Sequence, residues 1–205
     1  MADDGAVSAG LLSSMAASSG PRALLLRHSD RHAFPEGKSG DATRLTHVGE
    51  QRARALGQAL GESITWSLSS PLVRCTRTAE LMGANPVTSQ LLGDPGPFVI
   101  DRDIAAQVFM RQGTREVVFG QIRGETWGCM RPLDQGAGLL LDLLQTNVAA
   151  NPGIGIAISH DAIVMPFITQ TTGYDFVDDW LEPLDGIIVC TDSVVWRGQR
   201  FEVTH

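Results

Sequence analysis

Leu24-Leu25-Leu26-Arg27-His28-Ser29-Asp30 is the stretch that decides the fold of this chain. Three consecutive leucines that end in a cation and an imidazole predict a short strand buried on both faces. Open α/β sheets bind their ligands at the carboxyl ends of such strands, so Arg27 and His28 are predicted to lie at a functional sheet edge. An Arg-His pair after one strand is also typical of a solvated loop, so this interpretation depends on the rest of the chain.

The composition is that of an acidic globular protein. The chain has 205 residues, enough for one sizeable domain with a buried core, and its formal net charge is −7. No basic field favours nucleic acid as a partner, and no apolar run approaches the ~18 residues that would span a membrane. Cys75, Cys129 and Cys190 suit neither a disulfide framework nor a zinc site, which favours a reducing, cytoplasmic location.

The first twenty residues are rich in Ala, Ser, Gly and Asp. Asp3 and Asp4 stand where a signal peptide would carry positive charge, and no long apolar core follows them. We therefore expect a disordered tail over residues 1–20 and a single domain over residues 21–205.

Apolar runs alternate with helical patterns along the rest of the chain. Thr46 is placed to cap a helix that runs to about Gly61. Ile64–Leu68 and Ile154–Ser159 are predicted strands, each followed by a helix. This alternation predicts an α/β fold with three α/β/α layers around a mostly parallel central sheet. Residues 91–135 are dense in Gly and Pro and lack clean periodicity, so we interpret them as an inserted, partly helical flap over the site.

The second predicted strand is followed by Ser69-Ser70-Pro71-Leu72-Val73-Arg74. Ser70 is a good N-cap and Pro71 suits the first helical position, so we expect the next helix to start there. Arg74 would then lie in the first turn, where unpaired N–H groups and the helix dipole favour anions.

A second histidine, His160, follows the strand at Ile154–Ser159. Three strand ends are therefore expected to bring Arg27, His28, Arg74 and His160 to one edge of the sheet. Cations that converge repel one another unless an anion joins them, and arginine binds phosphate through two parallel charge-assisted hydrogen bonds. An imidazole at the centre of such a cluster can act as a nucleophile toward phosphorus.

These blocks together resemble the histidine phosphatase superfamily, which includes acid phosphatases, phytases and phosphoglycerate mutases. The family's Arg-His-Gly is similar to Arg27-His28-Ser29, and its Leu-Thr-x-x-Gly is similar to Leu45–Gly49. Its Ser-Ser-Pro-x-x-Arg-x-x-x-Thr-Ala-Glu matches Ser69–Glu80, and its late strand-His element matches Ile158-Ser159-His160. The resemblance implies a phosphoglycerate mutase-like fold and phosphatase activity.

The resemblance further implies a phosphoric monoester hydrolase that requires neither metal nor cofactor. His28 would attack phosphorus and form a phosphohistidine intermediate, while Arg27, Arg74 and His160 would hold the phosphoryl oxygens. The expected partner is a phosphorylated small-molecule substrate, and a homodimer is left open. A phosphomutase or other phosphotransferase is one alternative, and a non-catalytic phosphate-binding regulatory module is the other.

Two carboxyl groups are candidates for the general acid that protonates the leaving oxygen. One branch of the family carries its acid directly after the late histidine, which here is Asp161. The other branch places a Glu about two dozen residues beyond the motif arginine, where this chain has Asp94 in Leu92-Gly93-Asp94. Asp101 and Asp103 are further candidates, although acids of this kind are more often surface groups.

Substrate-binding residues are expected in the loop after the first strand. Ser29 replaces the family's glycine beside the nucleophile, so its hydroxyl either contacts phosphate or crowds the turn. Arg31 and Arg44 are candidates for binding the non-reacting part of the substrate, as are His32, Lys38 and Arg123. We expect specificity to reside in Ser29–Arg44 and in the flap.

Overall fold

A computed structural model describes residues 8–34, 40–177 and 179–203 of the chain. Seven strands are present in this part: β1 (Arg22–Arg27), β2 (Ile64–Ser69), β3 (Val87–Thr88), β4 (Ile154–Ser159), β5 (Gly186–Val189), β6 (Ser193–Trp196) and β7 (Gln199–Glu202). The helices there are α1 (Ala9–Ala16), α2 (His47–Leu60), α3 (Val73–Leu81), α4 (Arg102–Gln112), α5 (Thr114–Ile122), α6 (Leu133–Ala150) and α7 (Asp161–Thr172).

The strands form one mixed sheet in the order β3-β2-β4-β1-β5-β6-β7. The strands from β3 to β1 run parallel, with Leu26 of β1 opposite Ile158 of β4. The last three strands are antiparallel to their neighbours, because short turns connect β5 to β6 and β6 to β7. The prediction of a mostly parallel central sheet is confirmed.

Strand β1 is buried on both faces, as its leucines predict. Leu24 and Leu26 belong to the apolar cluster formed with α1, α2 and α3, whereas Ala23 and Leu25 belong to the cluster formed with α6 and α7. Side chains alternate between the two faces of a strand, so β1 contributes to both cores. Helices therefore cover both faces of the sheet, and the three-layer α/β/α prediction is confirmed.

Residues 8–20 correct the expectation of a disordered tail. Leu11 of α1 is fully buried against the sheet, and the Ser8 hydroxyl donates a hydrogen bond to Asp185 Oδ1 at 2.7 Å. The Ser14 hydroxyl accepts a hydrogen bond from Gly198 N–H at 3.2 Å. The expectation of disorder over residues 1–20 is therefore wrong for residues 8–20, and residues 1–7 lie outside the described part. The composition of residues 1–20 could not show this, because Leu11 becomes a core residue only through the strands β5 and β6 against which α1 packs.

Helix α3 begins later than the capping signal predicts. Its first residue is Val73 and its N-cap position is Leu72, which has no capping side chain. Ser70 Oγ accepts a hydrogen bond from Leu72 N–H at 3.3 Å, but its second partner lies in the site described below. The prediction that Ser70 caps the helix with Pro71 in its first turn is therefore wrong, while Arg74 does lie in the first turn.

The flap between residues 91 and 135 contains two helices, α4 and α5. Ala105 and Val108 of α4 pack with Val117 of α5 and with Cys129 and Met130, which gives the flap a small core of its own.

Within the described residues, no helix has both the length and the apolarity needed to cross a membrane.

Helix α1 provides a test of its place in the domain. We expect Leu11→Ala to lower the free energy of unfolding by about 2–5 kcal/mol, because the substitution leaves a cavity under a fully buried side chain. Leu12→Ala on the same helix is the matched control, since Leu12 is 51% exposed and its loss should cost less than about 0.5 kcal/mol. Urea unfolding measures both values, and equal, small losses would show that α1 does not contribute to the fold.

Candidate active site

The candidate site lies where the carboxyl ends of β2, β4 and β1 meet. These three strands are neighbours in the sheet, and backbone hydrogen bonds continue past their ends. The His28 N–H donates to the Ser159 carbonyl at 2.9 Å, and the Ser70 N–H donates to the Ile158 carbonyl at 2.9 Å. Three segments far apart in sequence are thereby held side by side at one sheet edge, as predicted.

His28 is held as a neutral imidazole with one free nitrogen. It is only 3% exposed, and its Nδ1 lies 2.7 Å from the backbone carbonyl oxygen of Ser29. A carbonyl oxygen only accepts hydrogen bonds, so Nδ1 carries the proton and Nε2 keeps its lone pair. Burial is the main cause that lowers the pKa of His28 to about 3, and the positive charge of Arg74 lowers it further. The imidazole can therefore act as a nucleophile at neutral pH.

His160 is positioned by three neighbours. An Arg74 guanidinium nitrogen lies 3.3 Å from its Nδ1, and Ser70 Oγ lies 2.9 Å from its Nε2. Since arginine only donates, Nδ1 accepts and Nε2–H donates to Ser70. The His28 and His160 rings are 5.4 Å apart, edge to face. Burial, followed by the charge of Arg74, holds the pKa of His160 well below its usual value.

Two buried arginines place guanidinium groups beside the histidines. Arg27 forms an ion pair with Asp161 at 3.0 Å and donates to the Leu181 carbonyl, while Arg74 donates to the Gly40 carbonyl at 3.0 Å. The Nε atoms of Arg27 and Arg74 are both buried with no hydrogen-bond partner among the described residues. Two cations that line the same cavity as His28 suit the binding of an anion.

The two candidate acids occupy different environments in the same cavity. Both oxygens of Asp161 are engaged: Oδ2 accepts from Arg27 and, at 3.2 Å, from the Trp180 indole N–H, and Oδ1 accepts from Ala162 N–H at 2.9 Å. Asp94 forms an ion pair with Arg102 of the flap through Oδ1. Asp94 therefore lines the cavity with one oxygen engaged by Arg102, whereas Asp161 engages both oxygens and holds Arg27.

All six residues predicted to be catalytic line one cavity of about 690 Å³, which is enough for a small-molecule substrate. They are Arg27, His28, Arg74, Asp94, His160 and Asp161. In the described ranges, no three His, Cys, Asp or Glu side chains cluster in a way that could hold a metal ion.

Residues 23–92 match the family model described as histidine phosphatase superfamily, branch 1. The similarity to this superfamily covers this segment of the chain. The matched segment contains Arg27, His28 and Arg74, while His160 is contributed from beyond it. No curated protein sequence matches the chain significantly.

Solved structures share the fold of this chain along nearly its whole length. A mycobacterial glucosyl-3-phosphoglycerate phosphatase is 15% identical with a TM-score of 0.59, covering 91% of this chain and 100% of its own. The protein TTHB049 from Thermus thermophilus is 18% identical with a TM-score of 0.56, covering 89% of this chain and 99% of its own. A structure named mycobacterial hydrolase 1 is 15% identical with a TM-score of 0.58, covering 91% and 100%. At these identities the likeness is one of fold, and the phosphoglycerate mutase-like prediction is confirmed.

Two of the three residues predicted to bind substrate lie outside the cavity. Ser29 is fully buried, and its hydroxyl donates to the Gly49 carbonyl at 2.8 Å, so it anchors the start of α2 instead of contacting a ligand. Arg44 is exposed and does not line the cavity. Arg31 does line it, with its guanidinium carbon 3.5 Å from the Phe34 ring centroid. The substrate-binding predictions for Ser29 and Arg44 are therefore wrong.

The remaining sequence candidates have structural partners. Asp101 caps α4 by accepting from Asp103 and Ile104 N–H at 3.0 Å. Arg123 pairs with Glu116 and Glu125 on the flap surface. His32 is exposed outside the cavity, and Lys38 lies outside the described residues.

Four residues that line or support the site carried little signal in the sequence. Ser70 hydrogen-bonds His160, and Trp180 hydrogen-bonds Asp161. Phe34 lies against Arg31, and Arg102 pairs with Asp94. Ser70 lies in the motif Ser69–Glu80, which was a sequence signal for a role in the site. The positions of the other three residues depend on how the loops and the flap fold over the sheet edge.

The buried neutral histidines make stability depend on pH. His28 and His160 have pKa values below those of the unfolded chain, near 6.5, so below pH 6.5 the unfolded state binds protons that the folded state does not. The free energy of unfolding should therefore fall by about 1.4 kcal/mol per histidine between pH 7.5 and pH 5.5. Urea unfolding in phosphate-free buffer should show this slope, reduced by about 1.4 kcal/mol in His28→Gln.

His32→Gln is the control for this measurement because His32 is exposed. Its pH slope should equal that of the wild type. An unchanged slope in His28→Gln would mean that His28 is not buried in neutral form.

Proposed function

We propose that this chain is a metal-independent phosphomonoester hydrolase that works through a phosphohistidine intermediate on His28. The observation that carries the proposal is a neutral His28, whose Nδ1–H is fixed on the Ser29 carbonyl and whose Nε2 keeps its lone pair, in a cavity that the guanidinium groups of Arg27 and Arg74 also line. A nucleophilic imidazole beside two guanidinium groups suits phosphoryl transfer, because catalysis of that reaction consists mostly of positioning the groups and stabilising charge.

In the first proposed step, His28 Nε2 attacks phosphorus and the bond from phosphorus to the leaving oxygen breaks. Arg27 and Arg74 hold the phosphoryl oxygens and stabilise the charge that spreads over them in the transition state. The hydrogen bond from Nδ1–H to the Ser29 carbonyl keeps the ring oriented and stabilises the positive charge that the imidazole acquires.

We assign the proton donor for the leaving oxygen to Asp94, which must take up a proton on Oδ2 before the first step while Oδ1 remains on Arg102. Asp161 is held by three donors and its removal would release Arg27, whereas the ion pair of Asp94 uses only Oδ1. After the first step Asp94 is a carboxylate that can take a proton from water as the water attacks phosphohistidine. That second step releases inorganic phosphate and restores neutral His28.

Water is the proposed acceptor in the second step. One structural neighbour is named a glucosyl-3-phosphoglycerate phosphatase and another a hydrolase, which supports hydrolysis over transfer to a second substrate. The proposed partner is accordingly a phosphorylated small molecule.

Release of phosphate from p-nitrophenyl phosphate in the presence of EDTA tests the nucleophile. Activity should survive EDTA and fall by at least about 10³-fold in His28→Ala, because the substitution removes the covalent route. Protein quenched with alkali and detergent should carry base-stable, acid-labile phosphate in the wild type and none in the variant. His32→Ala, at an exposed histidine outside the cavity, should match the wild type.

Other outcomes of this assay would favour the alternatives. Phosphoenzyme that persists in water and passes its phosphoryl group to an added alcohol, forming an alkyl phosphate instead of inorganic phosphate, would identify a phosphotransferase. Binding of phosphate without phosphoenzyme would identify a regulatory module, and activity retained by His28→Ala would remove the central assignment.

Asp94→Asn and Asp161→Asn distinguish the acid from the positioning group. A leaving group of high pKa needs a proton, so Asp94→Asn should lower kcat/KM for ethyl phosphate by about 10²–10⁴-fold but have a much smaller effect with p-nitrophenyl phosphate. Asp161→Asn should lower kcat/KM for both substrates by similar factors, since it disturbs Arg27. The reverse pattern would assign the acid to Asp161.

A further inference from the structure

The catalytic cavity extends well past the groups that could hold phosphate. Its volume of about 690 Å³ is far more than a phosphoryl group fills. The flap supplies much of the additional lining, including Phe98, Val99, Phe109 and Met130. The substrate's non-reacting part must therefore contact an apolar wall.

Helix α4 turns one face toward the cavity. Ala105, Ala106, Phe109 and Met110 all line it, at spacings of one, four and five residues that fall on one side of a helix. Ala106 and Met110 are exposed there, and Met110 is 69% exposed. An exposed apolar stripe on the wall of a cavity is a binding surface for apolar groups.

The charged groups of the flap wall already have partners. Arg102 pairs with Asp94, and the guanidinium carbon of Arg115 lies 5.0 Å from the Phe119 ring centroid and 5.4 Å from that of Trp180. Apart from the two histidines and Trp180, the neutral hydrogen-bonding side chains in the described lining are Thr114 and Gln121. The α4 face of Ala105, Ala106, Phe109 and Met110 has no side chain that could pair the hydroxyl or amide groups of a sugar or nucleoside, so burying such groups against it is costly.

We propose that the substrate is an amphiphilic phosphomonoester, whose phosphate binds at His28 and whose alkyl or aryl body lies against the α4 face. This inference rests on the proposed function for its chemistry. The binding preference itself depends only on the cavity, so it can be measured without turnover.

Binding of straight-chain alkylphosphonates, from ethyl to octyl, tests the apolar wall directly. The head group and its charge are constant in this series and its carbon–phosphorus bond is not hydrolysed, so only the buried chain varies. Affinity measured by calorimetry should rise by up to about fourfold per methylene until the cavity is filled, and by at least about tenfold from ethyl to hexyl. A flat series would overturn the proposal.

Ala106→Phe and Gln107→Phe locate the effect on the helix. Both residues are exposed on α4, but only Ala106 lines the cavity. Ala106→Phe should lower hexylphosphonate affinity at least about fivefold while changing ethylphosphonate affinity less than about twofold, since the added ring fills space that only the longer chain needs. Gln107→Phe should leave both affinities unchanged. A steep series that neither variant alters would place the alkyl group elsewhere.

Hydrolysis of the matching alkyl phosphates separates this inference from the proposed function. The leaving groups have similar pKa values, so kcat/KM should rise with chain length in parallel with phosphonate affinity. Phosphonate affinity that rises without any hydrolysis would refute the hydrolase but keep the amphiphilic ligand. Hydrolysis at equal rates for every chain length would keep the hydrolase and refute the apolar specificity.

Discussion

Two backbone hydrogen bonds past the ends of the strands determine the geometry of the site. They join His28 to Ser159 and Ser70 to Ile158, so the residues that leave β1, β2 and β4 remain in register after the strands end. The nucleophile, the hydroxyl that orients His160 and His160 itself then need no long loops to meet. The positions of these side chains are fixed by the central sheet, because its strand β1 is packed on both faces.

The site carries several positive side chains although the chain as a whole is negatively charged. The chain has a net charge of −7, yet Arg27, Arg31 and Arg74 line the same cavity as two histidines. Burial keeps both histidines neutral, which limits the repulsion and leaves a lone pair on His28. Asp161 compensates Arg27, and Phe34 lies against the guanidinium of Arg31.

The sequence predicted those features that local patterns encode. The leucines of β1 and the strand before His160 have patterns that hold in any context, and the motif residues follow them directly, so Arg27, His28, Arg74 and His160 were identified correctly as neighbours. Features that depend on a distant surface were missed. Leu11 is buried because α1 packs against β5 and β6, which come much later in the chain. The Ser29 hydroxyl does not face the cavity because it donates its hydrogen bond to the Gly49 carbonyl. Asp94 and Asp161 could be separated only by their partners, Arg102, Arg27 and Trp180.

Asp185 connects helix α1 to Arg27. Its side chain accepts the hydrogen bond of Ser8, and its backbone carbonyl accepts that of the Arg27 N–H at 2.9 Å. The carboxyl is buried, and burial raises its pKa, so it depends on the few groups that reach it. Protein engineering at this end of the chain is therefore not neutral: a shortened N-terminus or a bulky fusion that displaces Ser8 would remove a hydrogen bond from the residue whose carbonyl holds the Arg27 backbone, one position before His28.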